Sequence, residues 1–205
     1  MSSLLFVASS ILGQNSKSRE LAEELIANWR AAHPGAKVVT RDLTVENAPH
    51  LSLETLGALG KPTQDRTADE QARVDYADGI IAQAEAADTI VLAAPMYNFS
   101  IPSTLKTWID HLARAGRTFR YSETGPIGLL TNKKVYVVSA RGGVHAGQPS
   151  DFVEPYLRGV LGFLGLTDVT FVNAEGLAMG AEPAANGLAA ARTAIAGLKQ
   201  VAAAA

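Results

Sequence analysis

The chain has 205 residues, 47% of them hydrophobic and 19% charged, which is enough apolar material for one buried core and too little charge for a disordered chain. A net charge of -2 argues against a nucleic-acid binder that lives on phosphate contacts, and no stretch approaches the roughly 20 apolar residues of a membrane span. With no cysteine, disulfides, thiolate metal sites, iron–sulfur clusters and cysteine nucleophiles are excluded. With no basic region before the first apolar run, a cytoplasmic location is expected.

Leu4-Leu5-Phe6-Val7-Ala8 is a continuous apolar run and predicts a strand buried on both faces. A polar loop, Ser9 to Ser18, follows. Leu21, Leu25, Ile26 and Trp29 then recur at helical spacing, predicting an amphipathic helix from Ser18 to about Ala32 that Pro34-Gly35 stops. Lys37 to Thr40, centred on Val38 and Val39, predicts a second strand. Leu43 to about Thr67 has scattered apolar residues, two prolines and the Gly57/Gly60 pair. It reads as irregular, either functional or carrying short helices of its own. Asp69 to Ala87 reads as a helix with Val74, Ala77, Ile81 and Ala84 on one face, and Thr89 to Ala94 is the clearest buried strand, ended by Pro95.

Ser103 is the expected N-cap of the next helix, whose stripe is Leu105, Trp108, Ile109 and Leu112. Thr118 to Tyr121 reads as extended, Gly125-Pro126 as a turn, and Lys134 to Ser139 as a fourth core strand. Beyond the glycine-rich loop Ala140 to Ser150, a helix is expected with Pro155 in its first turn and Tyr156, Leu157, Val160, Leu161 and Leu164 as its stripe. Asp168 to Asn173 predicts a fifth strand, and Pro183 to about Ala204 an alanine-rich closing helix. This alternation predicts a single doubly wound α/β domain over residues 1–205, with a five-stranded parallel sheet and helices on both faces. Ligands of such folds sit outside the carboxyl ends of the strands, which directs attention to three loops.

The first, Ser9 to Ser18, joins a buried strand to a helix N-terminus, where free backbone N–H groups and the helix dipole attract an anion. Ser10, Ser16 and Ser18 add hydroxyls and Lys17 adds charge, although ordinary capping also favours serine here. Neither the Gly-x-Gly-x-x-Gly dinucleotide fingerprint nor the Walker spacing is present. The second loop places Met96, Tyr97, Asn98 and Phe99 after the third strand, a set suited to a planar aromatic ligand or to local core packing. In the third, Ala140-Arg141-Gly142-Gly143, the glycines permit unusual dihedrals and close backbone approach or form a plain turn. Arg141 and His145 are candidates to face developing negative charge. No paired-carboxylate or His-x-x-x-His pattern points to a metal.

Ser9-Ser10-Ile11-Leu12, Ser16-Lys17-Ser18, Ala93-Ala94-Pro95-Met96-Tyr97-Asn98-Phe99 and Ala140-Arg141-Gly142-Gly143 together resemble the FMN-dependent NADH azoreductases, which belong to the flavodoxin-like quinone reductases. Similar stretches, among them Thr118-Phe119-Arg120-Tyr121, Gly162-Phe163-Leu164-Gly165 and Ala174-Glu175-Gly176, extend the resemblance over nearly the whole chain. It implies a homodimer with tightly bound FMN near the subunit interface, NADH (or NADPH) as electron donor, and two-electron reduction of quinones or azo compounds. It also implies that Ser10 and Ser16 to Ser18 hold the FMN phosphate, Met96 to Phe99 line the ring and Ala140 to Gly143 meet its pyrimidine edge. Tyr121 and Phe163 would shape the substrate face. Position 140 often carries a hydroxyl residue in this family, whereas Ala140 offers only its backbone. Two rivals share parts of this reading: a flavodoxin-type electron carrier, for which a charge of -2 is a poor fit, and a flavin-free module for a phosphorylated ligand.

Overall fold

The computed structural model describes residues 2–46 and 48–202. Five parallel strands lie in the order β2-β1-β3-β6-β7: β1 (Ser3–Ala8), β2 (Lys37–Asp42), β3 (Thr89–Ala93), β6 (Lys134–Ala140) and β7 (Asp168–Ala174). All five residues of β3 and five of the six in β1 are buried, as their unbroken apolar runs require of central strands covered on both sides. Alternation along each strand splits the core into two layers. Leu5, Val7, Ile90, Leu92, Val135 and Val137 meet α3 (Ala68–Ala86), α4 (Ser103–Leu112) and α5 (Glu154–Phe163). Leu4, Phe6, Ala8, Val91, Ala93 and Val172 meet α1 (Lys17–Ala32) and α6 (Ala181–Ala202).

The predicted stripes face this core. Leu21, Leu25 and Ile26 of α1, Val74, Ala77, Ile81 and Ala84 of α3, and Leu105, Trp108, Ile109 and Leu112 of α4 are all buried. A fully buried side chain of this size contributes about 1.5–3 kcal/mol of transfer free energy, so α4 is held by its stripe.

Two local readings are corrected, and one left open is decided. Ser103 is not the N-cap of α4: that position is Pro102, with no side-chain cap, and its fixed φ starts the helix instead. Gly125-Pro126 is not a turn but the start of β5 (Gly125–Gly128), which pairs antiparallel with β4 (Phe119–Ser122). Proline is tolerated there because the two-stranded ribbon consists only of edges. Within residues 43–67, Leu53–Gly60 forms a helix, α2, capped by the Ser52 hydroxyl on the Thr55 amide, and Thr63–Asp65 forms a single 3-10 turn. The last expected helical residues, Ala203 and Ala204, lie outside the described residues.

Candidate active site

The chain leaves β1 for β2 on one side and returns to β3 on the other, so the strand order reverses between β1 and β3, where open α/β sheets bind ligands. The three loops meet there and are tied together. Ser9 Oγ donates to the carbonyl of Ala93 (2.7 Å), and the Met96 amide donates to the carbonyl of Ala140 (2.9 Å).

In the first loop Ser10, Ser16 and Ser18 are buried. Ser16 Oγ accepts from the Arg19 amide, capping α1, and lies 3.0 Å from Ser18 Oγ. The amides of Lys17 and Ser18, in the first turn of α1, have no acceptor among the described residues. The cap therefore leaves donors of this helix start free, because one helix start has more N–H groups than one serine can satisfy. The exposed Lys17 ammonium is bonded to Glu20 at 2.7 Å, which holds the Glu20 carboxyl below its ordinary range.

In the second loop Tyr97 and Ser100 exchange both backbone hydrogen bonds around Asn98 and Phe99, whose φ values are +49° and +67°. Two positive φ angles in a row define a type I′ turn, an uncommon geometry for a bulky residue such as Phe99. The turn leaves the amides of Asn98 and Phe99 without acceptors among the described residues. Tyr97 also reaches back to the first loop, its hydroxyl 2.9 Å from Ser10 Oγ.

A cleft of about 800 Å³ opens beside this turn, lined by Ile11, Met96, Tyr97, Asn98, Ser100, Ile101, Pro102, Ser103, Lys106 and Tyr156. The third loop borders the second through an edge-to-face contact of Phe99 with His145, centroids 5.7 Å apart. The expectation of unusual glycine dihedrals is corrected, because neither Gly142 nor Gly143 has a positive φ. Glycine at 143 provides clearance: a Cβ would lie 2.8 Å from His145 Nε2. The amides of Gly142 and Gly143 have no acceptor among the described residues.

Arg141 does not offer its side chain to this cleft. Only 1% of the residue is exposed, and the guanidinium meets Asp151 at 2.8 Å and Glu175 at 3.4 Å. Arg141 is therefore charge-paired through Nη1, while its Nη2 is buried without a partner among the described residues and its backbone belongs to the loop. His145 is half-buried, with Nδ1 2.9 Å from Ser150 Oγ. Tyr121 is 73% exposed and Phe163 half-buried, and both pack on Phe119. Neither lines the cleft of the single chain. The pairing of Asp151 and Glu175 with Arg141 was missed in the sequence, where nothing marks an acid 10 or 34 positions on as the partner of a loop arginine.

A family model described as flavodoxin-like fold matches residues 2–198. The FMN-dependent NADH:quinone oxidoreductase 2 of Pseudomonas fluorescens (strain Pf0-1) is 50% identical over 188 residues, 92% of this chain and 94% of that protein. The crystal structure of an azoreductase from Bacillus anthracis str. Sterne superposes with a TM-score of 0.86 at 33% identity, covering 98% of this chain and 99% of that one. An FMN-dependent NADH-azoreductase from Bacillus anthracis str. Ames Ancestor, solved in complex with FMN, gives a TM-score of 0.86 at 26% identity, covering 97% of this chain and all of that one.

Proposed function

Because the chain belongs to the flavodoxin-like family of FMN-dependent NADH:quinone oxidoreductases and azoreductases, we propose that it takes hydride from NADH and reduces quinones and azo compounds in two-electron steps. The observation that carries this reading is the donor set at the strand-order reversal. Buried hydroxyls and unpartnered amides at the start of α1, and unpartnered amides of the second and third loops, all follow the carboxyl ends of β1, β3 and β6, and the cleft opens between Ile11 of the first loop and the second loop. FMN needs such a set: its phosphate carries about -1.5 to -2 charges at neutral pH, and its flat ring needs apolar walls with polar groups at the edge.

Ser10, Ser16, Lys17 and Ser18 hold the phosphate, with the amides of Lys17 and Ser18 pointing positive dipole ends at it. The Tyr97 hydroxyl belongs to this cluster through Ser10. Met96, Asn98 and Phe99 wall the ring, and the backbone of Ala140, Arg141, Gly142 and Gly143 meets its pyrimidine edge. Bound there, FMN supplies a carrier that accepts hydride from a nicotinamide and returns two electrons to an acceptor. The protein's part is to orient the donor and acceptor and to keep one face open to both. Of the two candidate side chains, His145 is the one assigned to support charge at that edge, because it stands beside Phe99 while Arg141 is paired with Asp151 and Glu175.

The reading includes a homodimer. Ile11 (72% exposed), Leu12, Phe99, Val144, Phe152 and Met179 form an exposed apolar rim on the loops around the site, more than isolated surface residues require. Tyr121 and Phe163 shape the substrate face from such a partner. The cysteine-free chain suits the reducing cytoplasm. The test is the absorption spectrum of the purified protein, followed by NADH consumption with menadione. A colourless protein that takes up no FMN on titration overturns the reading. A flavoprotein that leaves NADH untouched is an electron carrier instead.

A further inference from the structure

The third loop is shaped by a buried charge network that lies outside the cleft. The Glu175 carboxylate accepts, at Oε1, the backbone amides of His145 (2.7 Å) and Ala146 (2.8 Å), and the same oxygen faces Arg141 Nη1 at 3.4 Å. Arg141 is further held by Asp151 and by Ser139 Oγ, 3.2 Å from its Nε. Asp151 in turn accepts, at Oδ1, the amides of Val153 and Glu154 at the start of α5.

Glu175 is itself fixed from two sides. The segment after β7 lies along the loop, with Gly176, Leu177 and Ala178 donating to the carbonyls of Gly143, Arg141 and Gly142. From α6, Gly187 comes so close that a Cβ there would fall 2.0 Å from the Glu175 carbonyl oxygen. The carbonyls of Arg141, Gly142 and Gly143 and the amides of His145 and Ala146 are thus engaged, whereas the neighbouring amides of Gly142, Gly143 and Val144 have no acceptor among the described residues.

We propose that Glu175 is a positioning residue for the cofactor: it clamps the loop at residues 145 and 146, with Arg141 and Asp151 as its buried brace, so that the Gly142 and Gly143 amides stay turned toward the flavin edge. This rests on the flavin reading above. Burying an arginine with its carboxylates is a poor route to stability alone, but fixing donor geometry before the ligand arrives lowers the ordering cost of binding.

The clamp acts at the ring edge and not at the phosphate, which separates it from the first loop. The test titrates FMN and riboflavin, separately, into the flavin-stripped full chain and its Glu175→Ala and Glu175→Gln variants. Glu175→Ala is expected to weaken both ligands by the same factor, at least about tenfold, the equivalent of one charge-assisted hydrogen bond. Glu175→Gln, whose carbonyl oxygen still accepts both amides, is expected to recover most of the affinity. Hydrogen exchange at His145 and Ala146 in the flavin-free chain reads the clamp without any ligand, and both amides should lose protection in Glu175→Ala. Unchanged affinity with unchanged exchange overturns the proposal, as does a loss confined to FMN. A wild-type chain that binds neither flavin overturns the functional reading alone, since the exchange measurement still decides the clamp. If Glu175→Ala does not fold, Glu175→Asp, whose shorter side chain draws the acceptor away from both amides, decides: equal weakening of both ligands with faster exchange at His145 and Ala146 supports the clamp, and wild-type behaviour overturns it.

Discussion

Ser16 and Ser18 show how one side chain serves two ends. Ser16 caps α1 while its hydroxyl stands beside that of Ser18. Replacing Ser16 by alanine should therefore cost about 1 kcal/mol of stability through the cap, whereas Ser18→Ala should leave the melting temperature nearly unchanged. The double variant should bind FMN at least about tenfold more weakly, since each hydroxyl donating to a charged acceptor is worth about 1.5–3 kcal/mol. Titration of the flavin-free protein measures this, and equal affinity in the double variant would remove both residues from the phosphate site. Asp151 carries a pH-dependent prediction. Burial alone would raise its carboxyl, but the Glu154 amide and the Arg141 guanidinium outweigh burial and hold it below the ordinary range. A lowered folded-state value means stability that is present above the unfolded value of about 3.9 and lost as pH falls through the folded value. Asp151→Asn should destabilise by about 3 kcal/mol near neutrality, the lower end for a broken buried pair because Glu175 remains beside Arg141. Melting curves against pH should show that deficit constant down to about pH 5 and shrinking below it; a deficit unchanged at pH 3 would mean the carboxylate charge is immaterial.

Among the elements, the β4–β5 ribbon depends on a contact that only glycine allows. Gly128 meets the turn after α5 so closely that a Cβ would lie 2.0 Å from the Gly165 nitrogen, while Leu130 donates to the Leu164 carbonyl beside it. Gly165 itself sits at φ +94°, where other residues are strained. Gly128→Ala should push the ribbon off α5 and cost about 2–4 kcal/mol, as backbone clashes in packed regions do. Urea unfolding reports the loss, and exchange at Phe119 to Ser122 reports where it falls. An unaltered midpoint would show that the ribbon shifts freely. This contact was not legible beforehand, because a glycine required by a neighbour 37 positions away looks like any turn glycine. The stripes of α1, α3 and α4 were legible, since burial of one helical face imposes a period that local sequence displays. The helix at Leu53–Gly60 was read only as one option within an irregular stretch, because eight residues carry too few turns to show that period.

Taken whole, the molecule places its open cleft beside an apolar rim, and this arrangement predicts its kinetics. If one open face serves both reactants, the oxidised nicotinamide must leave before a quinone can stack. Steady-state rates with NADH and acceptor varied together should give parallel double-reciprocal lines; intersecting lines would mean that both bind at once. Sedimentation of the same preparation should give twice the mass of the 205-residue chain, and a monomer with full quinone reductase activity would separate the substrate face from any partner. The parallel sheet, its two-sided burial and the three loops at its carboxyl edge could be read from the chain before any coordinates. Strand periodicity and loop position are local consequences of which residues must leave water, and they depend on near neighbours alone. What only the folded molecule decided is how the loops are used. Arg141 turned inward to Asp151 and Glu175, Tyr97 reached across to Ser10, and Gly142, without a positive φ, packs close enough to Ala178 that a Cβ would lie 3.3 Å from its Cβ. Most of those outcomes depend on groups well apart in the chain, 34 positions for Arg141 and Glu175 and 87 for Ser10 and Tyr97. A buried charge takes whichever opposite charge the packing supplies, and no local pattern names that partner in advance.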